Sequence, residues 1–95
     1  MIVRRMTWLA KRGHVMEAVK LAVAERERTG STHRIYRSYI GPDNTIAVEF
    51  EHKDLEEMET FWSEWSATLE SDAFMKKWND LLEAEGTDEI WTLAE

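Results

Sequence analysis

The stretch from Asp54 to Gly86 constrains this chain most, because its large apolar residues recur at helical spacing. Leu55, Met58, Phe61, Trp62, Trp65 and Leu69 step three and four apart, and Phe74, Trp78, Leu81 and Leu82 resume the pattern. The opposite face carries Glu56, Glu57, Glu59, Ser63, Glu64 and Glu70, which belong in water. So aromatic a stripe either fills a core or walls a pocket, and on any helical stripe the core comes first. Asp54 followed by Glu57 is a capping-box-like start. Ser71-Asp72 is a second N-cap signal, so a break is expected between Leu69 and Asp72. Gly86 is expected to end the second helical piece.

Upstream, the patterns are shorter. Ile2 to Ala10 alternates Ile2, Arg4, Met6, Trp8 with Val3, Arg5, Thr7, Leu9, which is a strand. Lys11-Arg12-Gly13 breaks it. Val15 to Arg28 is helical, with Val15, Met16, Val19, Ala22 and Val23 on one face and Glu17, Lys20, Glu25 and Arg28 off it. Gly30 suits a left-handed C-cap, so this helix should stop near Thr29.

His33–Ile40 and Thr45–His52 read as a hairpin around Gly41-Pro42-Asp43-Asn44, where proline and aspartate suit a type I turn. With Gly41 facing Asn44, Ile35 and Tyr39 fall beside Ile46, Val48 and Phe50. Arg34 then faces Glu51, Tyr36 faces Glu49, and His33 faces His52. A one-residue slip would mix apolar and acidic side chains on both faces, which disfavours it. Glu89 to Ala94, with Ile90, Trp91 and Leu93, is the expected last strand.

The resulting order, β-α-β-β-α-β, predicts one α+β domain over residues 1–95: a ferredoxin-like fold with a four-stranded antiparallel sheet. Both helices cover one face of that sheet. The bare face should hold Val3, Leu9, Tyr36 and Ile40, or their alternates, beside Arg5, Arg34 and Glu49. A half-apolar open face and five tryptophans in 95 residues predict a homodimer through the sheet.

Charge and composition exclude several classes. The net charge is −7 and the twelve Lys and Arg are scattered, which argues against nucleic acid. With no cysteine there is no disulfide, thiolate metal site or cysteine nucleophile, which fits a reducing cytoplasm. Arg4-Arg5-Met6-Thr7-Trp8-Leu9 has the look of a twin-arginine signal, but Lys11, Arg12, Gly13 and His14 cut the apolar run short. No stretch approaches the ~20 apolar residues of a membrane helix.

Few residues are chemical candidates. His14, His33 and His52 are the only imidazoles. A His33–His52 pair lacks a third ligand on its face, so no metal is expected. His52, at the mouth of the sheet–helix cleft, and Tyr39 are the candidate catalytic groups. Met6, Trp8, Phe50, Trp62 and Trp65 are the candidate ligand wall. The carboxylates of Glu56-Glu57, Glu49 with Glu51, and Asp88-Glu89 read as solvated faces. There is no nucleophile motif and no phosphate loop.

Met1-Ile2, Trp8, Gly13, the Gly41-Pro42 hairpin and the Trp62 to Trp78 segment together resemble the NIPSNAP-like branch of the dimeric α+β barrel superfamily. The resemblance implies a ferredoxin-like protomer whose sheet packs on a partner's to close a barrel, with a ligand cavity between sheet and helices. It implies a cofactor-free monooxygenase or isomerase acting on an apolar aromatic molecule, or else an apolar-ligand-binding, stress-related or structural module. The branch pattern has an acidic residue and an arginine where this chain has Arg4 and Met6. Haem-degrading relatives carry an iron-ligating histidine where Trp78 stands, and an indole N–H has no lone pair to offer. No cofactor is therefore expected.

Overall fold

The computed structural model describes residues 1–95. The elements are β1 (Ile2–Ala10), α1 (Val15–Thr29), β2 (Arg34–Arg37), β3 (Thr45–His52), α2 (Leu55–Ser66), α3 (Leu69–Leu81) and β4 (Leu82–Thr92). The strands pair antiparallel in the order β2-β3-β1-β4. This is the expected ferredoxin-like α+β fold, with the second helical segment split in two.

Local signals set several of the boundaries. Gly30 takes φ 71° and ends α1 in the left-handed conformation that its missing Cβ permits. Asp54 caps α2 by accepting the Glu57 N–H at 2.9 Å, while Glu57 accepts the Lys53 N–H at 3.2 Å. The break comes slightly before the expected place. Thr68, not Ser71, caps α3: its hydroxyl accepts the Ser71 N–H at 3.1 Å and donates to the Trp65 carbonyl at 2.8 Å. Ser71 and Asp72 instead fill the first turn, where a carboxylate suits the helix dipole.

Gly86 does not stop a helix. The helix ends at Leu81 and β4 begins at once, well before Glu89. Gly86 lies inside β4 at an irregularity opposite Thr7, where a Cβ would collide with the Thr7 hydroxyl and sit 2.9 Å from its carbonyl oxygen. Close approach of two strands requires the glycine.

The hairpin register differs from expectation by two residues. Arg34 pairs with Glu49, Ile35 with Val48 and Tyr36 with Ala47. A shift of two preserves the faces, so Ile35 still lies on the side of Ile46, Val48 and Phe50. The Ser38 N–H reaches the Thr45 carbonyl at 2.9 Å, and Tyr39 and Ile40 project from the loop beyond, 94% and 89% exposed. Gly41 (φ 131°) and Asn44 (φ 58°) both take positive φ around Pro42, which opens a wider loop than a four-residue turn. Ile40 is therefore not on the open sheet face. His33 meets Phe50, ring centroids 4.1 Å apart, rather than His52.

The core lies between sheet and helices. Ala10, Ala18, Ala22 and Ile46 surround Trp78, and the three alanines make the hollow that the indole fills. Alternation along the strands leaves Val3, Arg5, Thr7, Leu9, Tyr36, Ala47 and Trp91 on the uncovered face.

Candidate functional site

The helices do not close fully on the sheet. Between them lies a partly open cavity of about 210 Å³. Met6 and Trp8 from β1, Val48 and Phe50 from β3, and the aromatic stripe of α2 and α3 form its walls. The stripe is continuous: Trp62 meets Trp65 at 5.7 Å, Trp65 meets Phe74 at 5.9 Å, and Phe74 stacks on Trp78 at 5.5 Å. Thr29 and Met75 are the exposed members of the lining, so the mouth opens between the end of α1 and the middle of α3.

All five residues expected as a ligand wall line this cavity, and the two expected catalytic groups do not. Tyr39 stands in the hairpin loop, carried outside by the wider turn. His52 is 6% exposed, and its ring lies parallel to Phe50 at 6.2 Å and packs on Phe61 at 5.4 Å. Phe50 and Phe61 face the cavity, so His52 sits behind the wall. Burial, with a contribution from Arg4, holds its pKa below the ordinary value, while Glu57 opposes.

The polar residues of the lining are Glu25 and Thr29, from the end of α1, and His33, just before β2, and the indole N–H of Trp62 is buried without a hydrogen-bond partner. Glu25 accepts from Trp65 Nε1 at 2.8 Å and from Arg28 twice at 2.7 Å. Hydrogen bonding from Arg28 lowers its pKa most, and Trp65 assists. Half-buried His33 places Nδ1 2.7 Å from Ser31 Oγ. Its pKa is pushed down to about 4, chiefly by burial and then by Arg26, against an opposing pull from Glu25.

These two residues escaped the sequence. Ala18, Ala22, Glu25 and Thr29 step four, three and four along one stripe, a signal that the charge of Glu25 obscured. His33 was hidden by the register.

Behind the wall, the Arg4 guanidinium lies 4.8 Å from the centre of the Trp62 ring and pairs with both Asp88 oxygens at 3.0 and 2.7 Å. Cation–π attraction thus ties β1 and β4 to α2.

Solved structures with this architecture place the fold. A NIPSNAP domain protein from Burkholderia xenovorans superposes with a TM-score of 0.86 at 17% identity, over 99% of this chain and 95% of that one. A NIPSNAP family protein of unknown function from Agrobacterium tumefaciens gives 0.85 at 22% identity, over 100% and 89%. The chain shares the fold of these two proteins. An antibiotic biosynthesis monooxygenase matches more distantly, with a TM-score of 0.75 at 13% identity over the whole of both chains. No family model and no curated protein matches the chain in sequence. No helix of this chain is long and apolar enough to cross a membrane.

The histidines give the fold an acid-sensitive side. An unfolded histidine titrates near 6.5, so between there and about 4 the unfolded chain binds the proton that folded His33 refuses. Stability therefore rises with pH across that window and is lost as pH falls through it; His52 acts in the same direction. Glu25 and Asp88, held down by Arg28 and Arg4, add a further loss as pH drops below the ordinary carboxylate range. Urea midpoints should fall between about pH 7 and about pH 4.5, and His33→Gln should flatten the decline. An unchanged slope in that variant would remove His33 as its source.

Proposed function

We propose that the cavity binds a small aromatic molecule of one or two fused rings and that the chain acts as a binding module. One observation carries this: a cavity of about 210 Å³ in which 11 of 14 lining residues are hydrophobic. An apolar cavity of ~150 Å³ already takes up benzene. Drug-sized ligands need roughly 300 Å³ or more, so the occupant is small. Binding is favoured over turnover because no cavity group is poised to move protons near neutral pH. His33 is a weak base there, and Glu25 is ionised and locked by Arg28 and Trp65.

A second reading, cofactor-free oxygenation or isomerisation in the same cavity, is favoured by the fold shared with an antibiotic biosynthesis monooxygenase. Such chemistry asks the protein only to position an electron-rich ring that itself reduces dioxygen, and to keep water away. Apolar aromatics should quench tryptophan fluorescence saturably, and Trp65→Ala should diminish that quenching in a chain that is still folded, Trp8, Trp62 and Trp78 keeping part of it. Undiminished quenching in the variant refutes the wall. Oxygen uptake with a bound hydroquinone would move the assignment to the second reading.

We further propose that the open sheet face pairs with a second copy. Arg34, Glu49, Arg5 and Glu89 lie in one row across the four strands, with charges alternating in sign. A two-fold axis along the strands reverses that row, so every charge meets its opposite. Val3, Leu9 and Trp91 supply apolar area on either side. Light scattering should give about twice the 11.2 kDa chain mass, and a monomer at micromolar concentration would exclude the pairing.

A further inference from the structure

We infer that the hydrogen bond between Glu25 and Trp65 is the latch of a gate, which opens to pass a small apolar ring into or out of the cavity. This rests on the cavity being a ligand site, and it adds the route and what limits passage along it.

The route follows from two depressions that nearly meet. An open groove runs outside between α1 and α3, bordered by Ala24 and Arg28 on one helix and Ala73 and Lys77 on the other. It shares Glu25 and Phe74 with the cavity, so these two side chains are the partition between cavity and groove. Their neighbours form the mouth: Thr29 stands one turn beyond Glu25 on α1, and Met75 follows Phe74 on α3. Displacing the partition therefore widens the mouth that is already there.

One bond holds the partition in place. Trp65 Nε1 donates to Glu25 Oε2 at 2.8 Å, and no other hydrogen bond joins α1 to α2 or α3. The same indole leans on Phe74, ring centroids 5.9 Å apart, so it supports both halves of the partition. Arg28 grips both Glu25 oxygens at 2.7 Å and thereby fixes the carboxylate that receives the indole. Arg28 is a positioning residue for the latch.

The bond is suited to breaking and re-forming. Trp65 and Glu25 are each only half-buried, so both groups find water when it opens. The one fully buried residue of α2 is Met58, near its start, whereas Trp65 lies in its last turn, just before the chain breaks at Ala67 and Thr68. An apolar ring has no donor or acceptor to compete for the bond, which forms alike in the empty and the occupied cavity. Opening then costs the same in both states, so the latch sets the rates of entry and exit and leaves affinity unchanged.

Fluorine NMR of fluorobenzene tests this, since line shapes over a range of ligand concentrations give the affinity and both rates. Trp65→Phe keeps a ring and loses the N–H, and Glu25→Leu keeps the bulk and loses the acceptor. Each should raise the entry rate about tenfold, the value of one hydrogen bond to a charged group. The double variant should be no faster than the faster single one, because both substitutions break the same bond. Glu25→Gln, whose amide oxygen can still accept from Trp65, should stay within about threefold of the native rate. Unchanged entry rates in both single variants overturn the latch. A double variant whose gain is the product of the two single gains overturns it too, since that is how two independent changes in the wall behave. If one single variant does not fold, the entry rate of the other decides. A native chain that leaves the fluorobenzene signal unaltered removes the ligand site itself, whereas binding with rates indifferent to these substitutions removes the latch alone.

Discussion

Replacing Trp78 by alanine should cost about 3–5 kcal/mol, the usual range for truncating a buried aromatic. Trp78 is 2% exposed, with Trp8 edge-on at 5.2 Å and Phe74 stacked at 5.5 Å. Ala10, Ala18 and Ala22 are already the smallest side chains with a Cβ, so they cannot fill the space left behind. Against a total stability of about 5–15 kcal/mol for an ordinary domain, such a loss removes a large share of the folded margin, and nearly all of it at the low end of that range. Trp65 lies on the same stripe but is only half-buried, and its one directional bond goes to Glu25. Trp65→Ala should therefore cost less, about 1–3 kcal/mol. Urea unfolding followed by far-ultraviolet circular dichroism compares the two without relying on the mutated fluorophores. Equal losses would mean that Trp65 is core in the same sense as Trp78.

Gly86→Ala should destabilise the chain by about 1–3 kcal/mol, the range for forcing atoms into packed space, although Gly86 lies on an exposed strand. The new Cβ would meet the Thr7 hydroxyl, which cannot rotate away freely. That hydroxyl accepts the Thr87 N–H at 2.8 Å and lies 3.0 Å from the Thr87 hydroxyl. The Thr7 carbonyl, 2.9 Å from the Cβ position, is backbone and less able to move. Calorimetry should show a lowered melting temperature, and Thr7→Ala in the Gly86→Ala background should recover only part of it. A melting temperature equal to that of the native chain would show that β1 and β4 separate at no cost. Gly86 would then be ordinary strand backbone.

Much of this architecture was legible without coordinates. Apolar residues three and four apart in α1, α2 and α3, and alternation in β1, are local patterns, and each maps directly onto one element. Asp54 and Gly30 act within one turn of their own position, so their roles as caps could be read from neighbours alone. Ser71 shows the limit of such signals. Thr68 offers the same chemistry three residues earlier, and only the packing of α2 against α3 selects between them.

The sequence by itself determined the order of elements, the faces of the first strand and hairpin, and the aromatic stripe of α2 and α3, but not whether that stripe fills a core or walls a cavity. Side-chain period is a property of the chain, and it survives even a two-residue change of register. The tertiary structure alone decided that register, the place of Gly86 in a strand, the exposure of Tyr39 and the burial of His52 behind Phe50. It alone also brought Glu25 and His33 to the mouth and held His33 neutral. Those outcomes depend on how far the hairpin loop spreads and on the space left where α2 and α3 rest on the sheet. Distances between segments remote in sequence set both, and periodicity carries no information about them.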